Sequence, residues 1–245
     1  MKKITAVKLL LVTLALLIGL SGCRTAQRKS AIADYDYSEM ELVQLDAIGG
    51  GSTADRPTAV MTTSLGVIKI VLYPEYAPNT VSNFMALVEE GFYDNTAVLG
   101  VRESAFFQGV NSDGETKTTS GGLIDNEYSA CMWPFKGAVG SYCDVDGFGD
   151  SRFFIIDEQP LTQEQLDKLK TITVGEGEEE RQMLPDELLT AFKEVGCAVT
   201  MSGFYTFFGQ TVEGFDVIET ICKAQVDKKA RPVEEIKIIK IELEY

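Results

Sequence analysis

Apolar and polar residues alternate in VIKIVLY (67–73) and again in EIKIIKIEL (235–243). A period near two predicts half-buried strands at both places. Between them the period lengthens: over 79–90, Val81, Phe84, Met85 and Val88 fall on one helical face, with Pro78 leading and Gly91 ending the segment, positions those residues favour. A second helix is predicted over 213–224 from the stripe Phe215, Val217, Ile218 and Ile221. Two shorter helices are predicted in 157–199. One spans 161–170, where Thr162 stands three residues before Gln165 as in a capping box, and the other spans 185–194 behind Pro185. The acidic run 176–180 between them reads as a solvated loop rather than a cation site. Residues 58–245 are long enough for one domain with a substantial core, and periodicity makes it β-rich with two principal helices.

The first 22 residues have a different pattern. Lys2, Lys3 and Lys8 precede a largely apolar run at 9–20, which is short for a bilayer span but suits the core of a signal peptide. It ends in LSGC (20–23), which resembles the bacterial lipobox and implies that Cys23 becomes the acylated first residue, holding the protein on the extracytoplasmic face of the membrane. The alternative is an uncleaved membrane helix, which also leaves the remainder outside the cytoplasm. Residues 23–57, ending in GGGSTADRP, read as a flexible tether. A short helix folding back around 35–45 is the competing reading.

Composition narrows the chemistry. The net charge is −15, and loss of three leader lysines moves it to −18, with 37 acids against 19 bases. Such a surface repels nucleic acid and anionic headgroups, leaving the acyl anchor as the expected link to the membrane. Histidine is absent, which removes Ser/His and Cys/His pairs and the commonest zinc ligand. Neither metal nor cofactor is expected. Apart from Cys23, the cysteines are Cys131, Cys143, Cys197 and Cys222; they match no metal spacing and can pair in three ways.

The order of motifs carries a resemblance. After the first strand pair comes APNTVSNFMALVEEGFYDNT (77–96), then VLGVRESAFFQG (98–109), KGAVGSYCD (136–144), GDSRFFII (149–156) and TMSGFYTFFGQTVEGFDVIETI (200–221). This series resembles the cyclophilin family. The resemblance implies a mainly β fold, a closed antiparallel β-barrel capped by two helices, with 157–199 as a helical insertion. It also implies peptidyl-prolyl cis-trans isomerase activity, here toward proline-containing segments of exported proteins.

The groove positions depart from that family. Its catalytic arginine is Gly100, the preceding histidine Leu99, the groove methionine Ser141, the alanine Tyr142 and the next polar residue Cys143. Its groove glutamine is Arg152, the tryptophan Thr200, the aspartate of the same segment Ser202 and the pocket histidine Tyr205. Gln108 and Phe154 keep their places, and Phe106, Tyr142, Phe154, Met201 and Tyr205 are the substrate-binding candidates. Ala105 and Thr200 enlarge the pocket, and Tyr142 and Tyr205 are placed to refill it.

An arginine matters because peptide rotation meets a barrier of about 18–20 kcal/mol. In the twisted state the proline nitrogen regains a lone pair, which a fixed guanidinium stabilises more than it does the ground state. Losing one such donor costs about 2.7–4 kcal/mol, so Gly100 predicts weak catalysis. Arg102, two residues along the same strand face at about 6.6 Å, and Arg152 are the replacement candidates, with Gln108 orienting the amide. The plainer reading pairs both arginines with nearby carboxylates. Cys143, without a histidine, reads as a filler or half of a disulfide rather than a nucleophile. The competing functions are an inactive cyclophilin-like binding module at the cell surface and a structural spacer.

Overall fold

The computed structural model describes residues 28–108, 114–144, 146–175, 177 and 180–245, without the side chains of Phe107 and Gln108. Cys23 therefore lies outside the described residues. Chain order is as follows: α1 (Val43–Ile48), β1 (Thr58–Thr63), β2 (Gly66–Leu72), α2 (Pro78–Glu89), β3 (Thr96–Ala97), β4 (Gly100–Arg102), β5 (Ala105–Gln108), β6 (Ile124–Asp125), β7 (Ala138–Cys143) and β8 (Phe148–Ile156). Then follow α3 (Gln163–Lys170), β9 (Thr173–Val174), β10 (Arg181–Gln182), α4 (Asp186–Val195), β11 (Phe207–Glu213), α5 (Phe215–Cys222) and β12 (Lys237–Glu244).

The two alternating segments become central strands. They are β2 and β12, each paired antiparallel with β1, in a sheet ordered β3-β12-β1-β2-β11-β7-β8-β5-β4, with β6 added to β8. The sheet curls. Its edges β3 and β4 are separated only by Val98 and Leu99, and along this link Val98 N–H donates to Ile236 O and Val101 N–H to Ala230 O. Both principal helices form within two residues of their expected ends. Phe84, Val81 and Val88 of α2 and Val217, Ile218 and Ile221 of α5 pack with Met61, Ile68 and Phe208 in the core inside the curl. This is the mainly β, helix-capped architecture expected from the sequence.

The insertion helices also form, α3 with the full reciprocal capping box between Thr162 and Gln165. Their apolar faces meet a partner that periodicity did not reveal. Leu166, Leu169, Leu188, Leu189 and Phe192 build a second core with Trp133, against which Ile32, Tyr35, Tyr37 and Leu45 pack. Tyr37 stacks on Trp133 at 6.3 Å and Tyr35 meets it edge-on at 5.9 Å. Residues 28–48, read from sequence as part of a tether, thus lie on the domain, and the helix there is Val43–Ile48 rather than 35–45. Burial of apolar area outweighs the coil tendency of the neighbouring glycines.

Gln44 fixes the attachment and is fully buried. Its Nε2 donates to Trp133 O (2.9 Å) and Gln210 Oε1 (3.0 Å), while its Oε1 accepts from Trp133 N–H (2.6 Å). Cys131, Cys143, Cys197 and Cys222 are free and buried. No disulfide joins them.

Candidate functional site

The candidate groove lies on the outer face of β5, β7 and β8. Antiparallel register puts Phe154 opposite Gly140, and the ring rests on that glycine: a Cβ there would lie 2.3 Å from Phe154 Cζ. Phe154 is the floor of this face. It packs with Ala105 and Phe207, with Tyr142, Met201 and Tyr205 partly buried around it. Tyr205 meets Phe154 edge-on at 5.1 Å, and Phe154 has no exposed surface. A proline ring can reach Phe154 only when a side chain packed on it, such as Tyr205, moves.

The structure thus brings together four of the five substrate-binding candidates: Tyr142, Phe154, Met201 and Tyr205. The fifth is elsewhere. Phe106 pairs with Val101 and Ile155 in register and is packed with both inside the curl. Strand alternation assigns the groove face to its neighbour Ala105 instead. Gln108 stands opposite Phe153 on β5.

Arg152 lies over the Tyr142 ring, 4.6 Å from its centroid. Its guanidinium is forked onto the buried Asp150: Nε donates to Oδ1 at 2.9 Å and Nη2 to Oδ2 at 2.7 Å. That hydrogen bonding raises the Arg152 pKa despite partial burial. Such two-point geometry holds the side chain in one orientation. Arg102, by contrast, is exposed on β4 beside Ala105 and makes no ion pair among the described residues. It still acts on the groove. Burial pushes the Tyr205 hydroxyl up, Cys143 and Tyr142 push the same way, and Arg28 and Arg102 pull it down.

Arg28 is the groove residue that sequence reasoning missed. Nothing in RKS (28–30) distinguishes it from any basic residue in a linker, yet its guanidinium sits against Cys143, Phe204 and Tyr205. Gly100, which the resemblance sets at the family's arginine position, has open surroundings. A Cβ there would find only Ala230 O, at an ordinary 3.4 Å.

A curled antiparallel sheet capped by two helices, with a buried phenylalanine resting on a glycine of its outer face, is the cyclophilin type of fold. Residues 58–243 match the family model described as cyclophilin type peptidyl-prolyl cis-trans isomerase/CLD, and the chain belongs to that family. A Staphylococcus aureus protein provisionally named a peptidyl-prolyl cis-trans isomerase is 27% identical over 190 residues, covering 76% of this chain and 90% of its own length. A Streptococcus pyogenes protein, provisionally named a bifunctional phosphatase/peptidyl-prolyl cis-trans isomerase, is 26% identical over 212 residues. The match covers 84% of this chain but only 42% of the streptococcal one. Among solved structures, a Cryptosporidium parvum cyclophilin type peptidyl-prolyl cis-trans isomerase, crystallised in the presence of the dipeptide Ala-Pro, superposes with a TM-score of 0.55 at 19% identity. That superposition covers 77% of this chain and 99% of the other, and it bears on the fold alone.

Proposed function

We propose that the protein is a weak peptidyl-prolyl cis-trans isomerase, anchored through Cys23 on the outer face of the cytoplasmic membrane and assisting the folding of exported proteins. Its substrates are proline-containing segments. The observation that carries this reading is Phe154 resting on Gly140 at the groove floor, with the exposed guanidinium of Arg102, which makes no ion pair among the described residues, at the rim. Unaided X-Pro exchange takes tens to hundreds of seconds, so even a modest catalyst helps a chain that folds outside the cell.

The division of labour follows from the side chains. Tyr205 swings from Phe154 to admit the proline ring, and Met201 and Tyr142 flank it. Arg102, exposed and without an ion pair among the described residues, turns its long side chain toward Gly100 and donates to the twisted amide's nitrogen. Arg152 is a positioning residue. Two of its donor nitrogens are committed to Asp150, so it steadies Tyr142 rather than following the reacting atoms. Closure of the pocket by Tyr205 and the displaced guanidinium both lower the rate. A protease-coupled assay of the full chain tests the assignment: Arg102→Ala should lower turnover about 100-fold, the cost of one lost preorganised donor, while Arg152→Ala should mainly weaken substrate binding. Equal turnover in the wild type and both variants would rule out this mechanism.

The second reading, a binding module without turnover, is favoured by the full cover over Phe154. It is distinguished by saturable binding of a proline peptide without accelerated exchange. The anchor has its own test. Cys23→Ser should release the protein from the membrane fraction or block its processing, and unchanged acylation and retention would refute it.

A further inference from the structure

Arg28 is a partly buried cation held almost wholly by neutral groups. Nη1 donates to Cys143 Sγ at 3.0 Å and, at 3.4 Å, to Asp144 O. Nη2 donates to Tyr128 OH at 2.9 Å and to the carbonyl oxygen of Phe204. The guanidinium carbon is 6.0 Å from the Phe204 ring centroid and 5.9 Å from that of Tyr205. Two carbonyls, a phenol oxygen, a sulfur and two aromatic faces are what a planar cation seeks. The Asp144 carboxylate, accepting from Asp146 N–H at 3.0 Å and Phe148 N–H at 2.9 Å, adds negative potential nearby.

The side chain comes from outside the family-matched region. Residues 28–32 are fastened to the groove wall by Ser30 Oγ, which donates to Ser202 O at 2.7 Å, and by Ala31 N–H, which donates to Gly203 O at 3.0 Å. Gly203, at φ +69°, permits this approach, because a Cβ there would lie 2.5 Å from Ser30 Oγ.

We propose that Tyr128, Cys143, Asp144, Phe204 and Tyr205 form a guanidinium subsite beside the proline pocket, and that Arg28 fills it as an intramolecular ligand. A client segment carrying arginine next to its proline displaces Arg28 and takes its place. Because Arg28 packs on the Tyr205 ring, its departure also frees the ring that covers Phe154. The client part of this proposal rests on the proline-peptide reading above, while the subsite itself does not.

The test uses the full chain, wild type and Arg28→Ala, with N-acetyl-arginine amide as probe and tyrosine NMR shifts as readout. Arg28→Ala should bind the probe saturably, shifting Tyr128 and Tyr205. If Arg28 fills its site nine-tenths of the time, the wild type should bind about tenfold more weakly. Arg28→Lys should fall between them. Arg-Ala-Pro and Ala-Pro-Arg should gain affinity for Arg28→Ala more than the glutamate counterparts do. No probe binding to Arg28→Ala would overturn the subsite, and so would an equal gain for the glutamate peptides, which means simple unblocking. Probe binding without binding of any proline peptide would uphold the subsite while refuting the isomerase reading.

Discussion

At the scale of single residues, the groove depends on contacts that leave no room for a methyl group. Gly140→Ala would press a Cβ to 2.3 Å from Phe154 Cζ, and that ring is boxed in by Tyr205 at 5.1 Å and Phe207 at 5.9 Å. Overpacking of this kind costs about 1–3 kcal/mol. The expected outcome is a lower denaturant midpoint together with weaker proline-peptide binding, and an unchanged midpoint would show that Phe154 is freer than described. Part of the site was legible at this scale. Phe154, Tyr205 and a glycine at residue 100, where the resemblance implies an arginine, all stand in the motif series, and Tyr205 does pack on Phe154. Besides Arg28, two features were not. Phe106 reads as a groove residue by position in the motif, yet pairing with Ile155 turns it inward. Arg152 has its partner, Asp150, only two residues away, but spacing alone does not choose between a carboxylate neighbour and an open groove.

At the scale of elements, the sequence shows where helices and strands form better than what their faces meet. The capping box at Thr162 and the stripes of α2 and α5 are local signals, and they survive folding because no tertiary contact opposes them. Docking of 28–48 is a long-range event. Its carriers are Gln44, which bonds to Trp133 and Gln210, and Tyr35 and Tyr37, which pack on Trp133, none of which makes a periodic pattern. Gln44→Ala would strand Trp133 N–H, a donor that Gln44 Oε1 now accepts at 2.6 Å in a fully buried place. One unmet buried group costs about 1–3 kcal/mol. The variant should melt earlier, with tryptophan fluorescence shifted as Trp133 loosens. If its melting temperature and emission match the wild type, residues 28–48 are no structural part of the domain.

At the scale of the whole molecule, the chain is a cyclophilin-type barrel extended by a second core and by an arm that reaches its groove. Buried and partly buried tyrosines set its alkaline limit. Burial pushes Tyr37 up to about 12, and Tyr35, Tyr73 and Tyr93 rise by the same cause. These groups fold neutral, whereas in the unfolded chain tyrosines ionise near 10. Their contribution is therefore complete below about pH 10 and is lost as pH climbs toward the folded values. Thermal melts should show the melting temperature falling steeply above that pH, and a melting temperature unchanged to pH 12 would contradict this burial. Whether a groove with glycine at residue 100 turns over proline bonds is read by NMR exchange spectroscopy on an Ala-Pro peptide with the full chain and with Gly100→Arg. Slow but catalytic exchange is expected in the wild type, and faster exchange with a guanidinium at residue 100. A peptide that binds both proteins while its cis and trans forms interconvert no faster than in buffer would contradict that expectation.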